Sequence, residues 1–75
     1  MKNQEIAKIL YKIADYLDIE EVSFRPKAYR RAALALETLK KDVREIYKQG
    51  RREALEGIPG IGKSIAEIIE EYLNT

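Results

Sequence analysis

Leu55-Glu56-Gly57-Ile58-Pro59-Gly60-Ile61-Gly62-Lys63-Ser64-Ile65-Ala66-Glu67-Ile68-Ile69 decides how this chain folds. Apolar residues at helical spacing stand on both sides of a break where Gly57, Pro59, Gly60 and Gly62 fall within six residues. That density of breakers forces a tight, irregular turn. After it, Ile65 and Ile69 return at the spacing of a buried helix face, in a helix starting near Lys63 or Ser64. Gly60 and Gly62 matter in two ways: their backbone can take unusual dihedrals, and no side chain blocks an approaching group. Ile58 and Ile61 are the expected apolar plugs that pin the turn to the core. A lone Gly-x-Gly would read as an ordinary turn between helices. Proline before the first glycine and lysine after the second make this pattern more specific.

The turn opens straight into a helix N-terminus. The N–H groups of Gly62, Lys63 and Ser64 lack partners inside the helix, and the helix dipole places positive charge there. An anion site is therefore expected, to which Lys63 adds a point charge and Ser64 a hydroxyl donor. A nucleotide-binding P-loop is not. The run Gly57-x-x-Gly60-x-Gly62-Lys63-Ser64 contains a proline, spaces its glycines differently and follows a helix rather than a strand.

Asn3 is the expected N-cap of a first helix over 3–18, with Glu5 in its first turn. Ile6, Ile9, Leu10, Ile13 and Leu17 share one face of that helix. Residues 19–25 break the period. Pro26 suits the first turn of a second helix running to about Lys40, with Tyr29, Ala32, Ala33, Leu36 and Leu39 inward. Asp42 is the candidate cap of a third helix carrying Val43, Ile46 and Tyr47, which Gly50 is expected to end in a left-handed conformation. A short fourth helix covers about Arg51–Glu56, and the last buries Ile65, Ile69, Tyr72 and Leu73. No segment alternates like a strand, and no repeat or linker divides the chain. The fold expected is all-α: one domain over residues 1–75, a small four- to five-helix bundle.

A chain of 75 residues buries only about 60% of its unfolded surface, so its core is thin and leaves little room for a deep pocket. It has no cysteine and no histidine. That excludes disulfides, thiolate chemistry, zinc sites and histidine bases, and leaves oxygen ligands for any metal. Apolar runs fall far short of the ~20 residues of a membrane span, and no basic-then-apolar leader opens the chain. A soluble, cytoplasmic protein with no membrane partner is expected. The net charge of +1 conceals a strong asymmetry. Residues 1–23 carry −2, residues 24–52 carry +7 and residues 53–75 carry −4. The basic middle fits a nucleic-acid partner; it also fits a merely solvated helix face. Glu20/Glu21 and Glu70/Glu71 diverge by about 100° on a helix and read as solvated surface charges rather than acid–base pairs.

The pattern at 58–64 resembles the helix-hairpin-helix motif, which binds DNA without regard to sequence. The whole chain is similar to the small amino-terminal domain of family X DNA polymerases, the polymerase beta-like group. Two anchors carry the likeness. One is Phe24-Arg25-Pro26-Lys27-Ala28-Tyr29-Arg30-Arg31-Ala32-Ala33; the other is Ile58-Pro59-Gly60-Ile61-Gly62 followed by Ile65-Ala66-Glu67 and Tyr72-Leu73. The resemblance implies the amino-terminal fragment of a longer polymerase chain, acting in base excision repair at the nucleoid. It implies a grip on the 5′-phosphate of gapped or nicked DNA by Arg25 and Tyr29, together with Gly60, Gly62, Lys63 and Ser64. Ser64 stands where the family often has a further lysine. Arg25 suits a bidentate phosphate contact and Tyr29 a hydroxyl contact, although Tyr29 also reads as a core aromatic with a wet tip. Lys27, Arg30, Arg31, Lys40, Lys41 and Lys48 are candidate extensions of the DNA surface. The family's hairpin also holds a monovalent cation, which implies Na+ or K+ on the backbone carbonyls of Glu56, Ile58 and Ile61. No other cofactor is expected.

One departure from the family bears on chemistry. Several animal members excise a deoxyribose phosphate through a lysine Schiff base, two residues after the alanine of the motif's Ala-Glu pair. Here Ile68 occupies that position and carries no amine. No lyase activity, and so no enzyme in this fragment, is expected; Lys63 reads better as a phosphate contact. A protein-interaction module with a purely structural hairpin is the alternative function. Geometry separates the two: DNA needs the basic residues on the face of Gly60–Lys63, whereas docking gains if they scatter. A monomer is expected, since few apolar residues are spare.

Overall fold

The computed structural model describes residues 1–20 and 25–75. Four helices follow one another: α1 (Lys2–Ile19), α2 (Arg25–Thr38), α3 (Val43–Glu56) and α4 (Lys63–Leu73). The described residues contain no strand, as the all-α expectation required. Glu21 and Phe24, both used in the sequence reading, lie outside the described residues.

The first pair forms because two stripes of small and branched apolar residues face each other. Ile6, Ala7, Leu10 and Ala14 of α1 are buried with Tyr29, Ala32, Ala33 and Leu36 of α2. The pair runs antiparallel. Arg30 reaches Asp15 and Asp18 at the end of α1, while the Tyr11 hydroxyl donates to Glu37 at 2.8 Å nearer the middle. Such exposed pairs add little stability, so the buried stripes hold the helices together. The second pair, α3 and α4, is also antiparallel: Tyr47 donates to Glu70 at 2.8 Å, and Arg52 pairs with Glu67 and Glu70. Leu55, Ile58, Ile61, Ile65, Ala66 and Ile69 carry the core from this pair into the first. Ile58 and Ile61 are thus the plugs their positions suggested. Tyr72 and Leu73 only flank the core, half-buried.

Asn3 is not a cap. α1 begins at Lys2, and Asn3 lies within it, fully buried. Its amide donates to the Lys41 carbonyl at 2.7 Å, and its carbonyl oxygen accepts from the Val43 N–H at 2.7 Å. A buried polar side chain is tolerated because both ends are satisfied. It stitches the start of α1 to the link between α2 and α3. Asp42 does cap α3, accepting from the Arg44 N–H at 2.9 Å.

The break in α3 falls one residue later than expected. Arg51, not Gly50, takes the positive φ, at φ 58 and ψ −148. Gly50 serves close packing instead: a Cβ there would lie 2.7 Å from the Ala54 Cβ. The kink divides α3 into two helical pieces, so that four or five helices are equally fair descriptions. No described helix is long and apolar enough to cross a membrane.

Candidate nucleic-acid interface

The turn between α3 and α4 is built from local backbone hydrogen bonds. The Ile58 N–H donates to the Leu55 carbonyl at 3.1 Å and the Ile61 N–H to the Ile58 carbonyl at 3.0 Å. Gly60 has φ 94, a conformation reserved for glycine. A Cβ on it would come within 3.3 Å of Arg31 Cγ and 3.5 Å of Ala35 Cβ, so the apex of the turn packs against α2. Gly62 corrects one expectation. Its backbone is extended, at φ −92 and ψ −176, and needs no glycine. A Cβ there would meet nothing within 4 Å, so Gly62 leaves open approach rather than unusual geometry.

Gly62 is the N-cap of α4 and brings no side-chain hydrogen bond. The first-turn N–H groups of Lys63 and Ser64 therefore have no partner in the helix or from the cap. They open onto a concavity of about 540 Å³ between the start of α2 and the turn. Arg25, Tyr29 and Arg31 line it from α2; Gly60, Gly62, Lys63 and Ser64 line it from the turn and α4. Residues far apart in sequence thus meet in one place. Among the described residues lining it, three are cationic and none is a carboxylate.

The helix-hairpin-helix domain model matches residues 1–75. The chain belongs to the helix-hairpin-helix domain family. Domains of this family commonly bind DNA. No curated protein matches the chain.

In this helix-hairpin-helix domain Tyr29 is a core residue at the border of the concavity. At 8% exposure its ring belongs to the core, and the residue still lines the concavity. The other basic candidates divide. Lys27 is exposed on α2. Arg30 is held by Asp18 and Asp15, which raise its pKa further. Lys40 and Lys41 are exposed at the opposite end of α2 from Arg25, and Lys48 sits beside Asp42, Arg44 and Glu45. None of these lines the concavity at the hairpin.

Two residues have surroundings that periodicity did not show. Arg31 stood level with Arg30 in sequence, yet only Arg31 lines the site. Glu70, read as a solvated charge, is a structural acceptor. The Tyr47 hydroxyl and then Arg52 hold its carboxyl below the usual glutamate range. The aromatic and cationic partners lie 23 and 18 residues away in sequence, so no local spacing announces them. Ile68 is half-buried and packs against the core, with no amine to offer. The described residues hold no cluster of three or more acidic side chains suited to a metal ion.

Proposed function

We propose that this domain binds DNA without reading its sequence and grips the 5′-phosphate at a gap or nick. On the same proposal it is the amino-terminal part of a family X polymerase acting in base excision repair, and a monomer. The observation that carries the proposal is the single concavity where Arg25, Arg31 and Lys63 meet the open start of α4. A terminal phosphate is a compact anion rich in acceptors. A bidentate guanidinium, a tyrosine hydroxyl and unpaired helix N–H groups complement it, and nothing in that set distinguishes bases. No lyase step is included, since Ile68 supplies no amine. A bound Na+ or K+ is included, on the carbonyls of Glu56, Ile58 and Ile61. The Ile58 carbonyl accepts from the Ile61 N–H, which leaves it one further lone pair for such an ion.

The test is an NMR amide titration with two gapped duplexes at fixed moderate salt, one phosphorylated at the 5′ side of the gap and one not. Shifts at Gly60–Ser64, Arg25 and Tyr29 are expected, with clearly tighter binding to the phosphorylated gap. Equal affinity would leave a generic DNA-binding hairpin without a phosphate pocket. Binding to neither would leave protein docking as the function. With abasic DNA, borohydride is expected to trap no adduct; an adduct lost on Lys63→Ala would restore the lyase.

A further inference from the structure

Arg30 and Arg31 are sequence neighbours with different surroundings. Arg30 sits on the flank of α2 that meets α1 and is taken up by Asp15 and Asp18. Arg31 sits on the flank that meets the hairpin and lines the concavity with Arg25 and Lys63. Among the described residues it forms no ion pair. Its aliphatic stem lies against the apex of the turn. A Cβ on Gly60 would approach Arg31 Cγ to 3.3 Å and the Arg31 carbonyl oxygen to 3.5 Å. The positive φ favours glycine at position 60, and the close approach leaves little space for a Cβ there. The result is that the turn itself braces the stem of Arg31, which lowers the ordering cost of using its guanidinium as a ligand.

We propose that Arg31 holds a second phosphate, a phosphodiester about two to three nucleotides along the strand from the 5′-phosphate at Arg25. This rests on the DNA-binding reading and extends the site from one phosphate to two. Arg25 and Arg31 lie six residues apart on one helix, about 9 Å along its axis. Against a rise of about 3.4 Å per nucleotide along a strand, that offset spans roughly two to three nucleotides, so the two guanidinium groups meet different phosphates rather than stacking both on one. The subsite is generic. A phosphodiester is present in every strand, so Arg31 contributes to all DNA binding, whereas Arg25 discriminates the phosphorylated end.

Arg31→Gln, Arg31→Lys, Arg25→Gln and Arg30→Gln in the full chain, titrated with both gapped duplexes between about 50 and 200 mM salt, test this. Arg31→Gln is expected to weaken both duplexes by the same factor and to lower the salt slope by about 0.9, one phosphate contact. The preference for the phosphorylated gap and the melting temperature stay as in the wild type. Arg31→Lys keeps the slope because it keeps the charge. Arg25→Gln instead collapses the preference, and Arg30→Gln leaves the slope unchanged. A wild-type slope in Arg31→Gln would overturn the second subsite, as would loss of the phosphate preference in that variant. A wild-type chain that binds neither duplex would overturn the DNA-binding reading itself.

Discussion

The Asp42 carboxylate accepts from the Arg44 backbone N–H at 2.9 Å and from its guanidinium at 2.9 Å, closing the start of α3. The Arg44 side chain is the main reason its pKa sits at about 2, below the ordinary 3.8, with partial burial opposing. A carboxyl whose folded pKa is depressed stabilises the fold above its unfolded pKa and loses that contribution as pH falls through the folded value. Asp42→Ala is therefore expected to cost about 1 kcal/mol at neutral pH. Urea melts should show the gap between the variant and the wild type closing as pH drops from about 4 toward 2. A gap that persists at the acid end would mean the carboxylate is not what the cap depends on. At this scale Asp42, Ile58 and Ile61 were legible because a cap and an apolar plug act on their own surroundings. Asn3 was not: a polar residue near a helix start resembles a cap, and only the neighbouring link shows that both its amide groups are used internally.

Among the elements, α3 carries the sharpest conflict between local preference and packing. Glycine would suit the backbone at position 51, yet the glycine stands at 50, where the Ala54 methyl excludes any Cβ. Arg51 bears the positive φ and places its guanidinium 5.5 Å from the centre of the Tyr47 ring. Its φ and ψ border a region used almost solely by glycine, at a cost of about 1–3 kcal/mol. Arg51→Gly relieves this, offset by the larger unfolded-state entropy of glycine, and should stabilise the domain by about 1 kcal/mol in urea denaturation. Gly50→Ala should do the opposite. If Arg51→Gly destabilises, the stacking on Tyr47 outweighs the backbone strain. The existence of each helix and of the turn could be read from spacing and breakers. The position of the kink could not, because it depends on which of two adjacent residues the second half of α3 leaves space for.

Over the whole molecule, the +7 of residues 24–52 overstates what is available to a polyanion. Arg30, Arg44 and Arg52 are engaged by Asp18 and Asp15, by Asp42, and by Glu70 and Glu67. Three cations face the hairpin concavity. A terminal phosphate with nearly two charges and one phosphodiester match those three cations, so the slope of log affinity against log salt on the phosphorylated gap should lie at about −3, at about 0.9 per neutralised charge. Fluorescence anisotropy across a salt series measures it. A slope near −6 would show that the distal lysines 40, 41 and 48 also touch DNA.

The sequence alone determined that the chain is helical, where its turn falls and that the turn exposes a helix start beside a lysine. These follow from interactions within about one turn of chain: apolar period, proline and glycine dihedrals, unpaired first-turn N–H groups. Tertiary structure decided which cations stand together. Arg30 and Arg31 are separated by about 100° around α2, and only the packing of α1 on one flank and the hairpin on the other gives them different partners. The same holds for Asn3 and Glu70, whose partners are distant in sequence. A residue's own neighbourhood is written locally; the azimuth at which a helix meets the rest of the core is set by all the buried side chains at once.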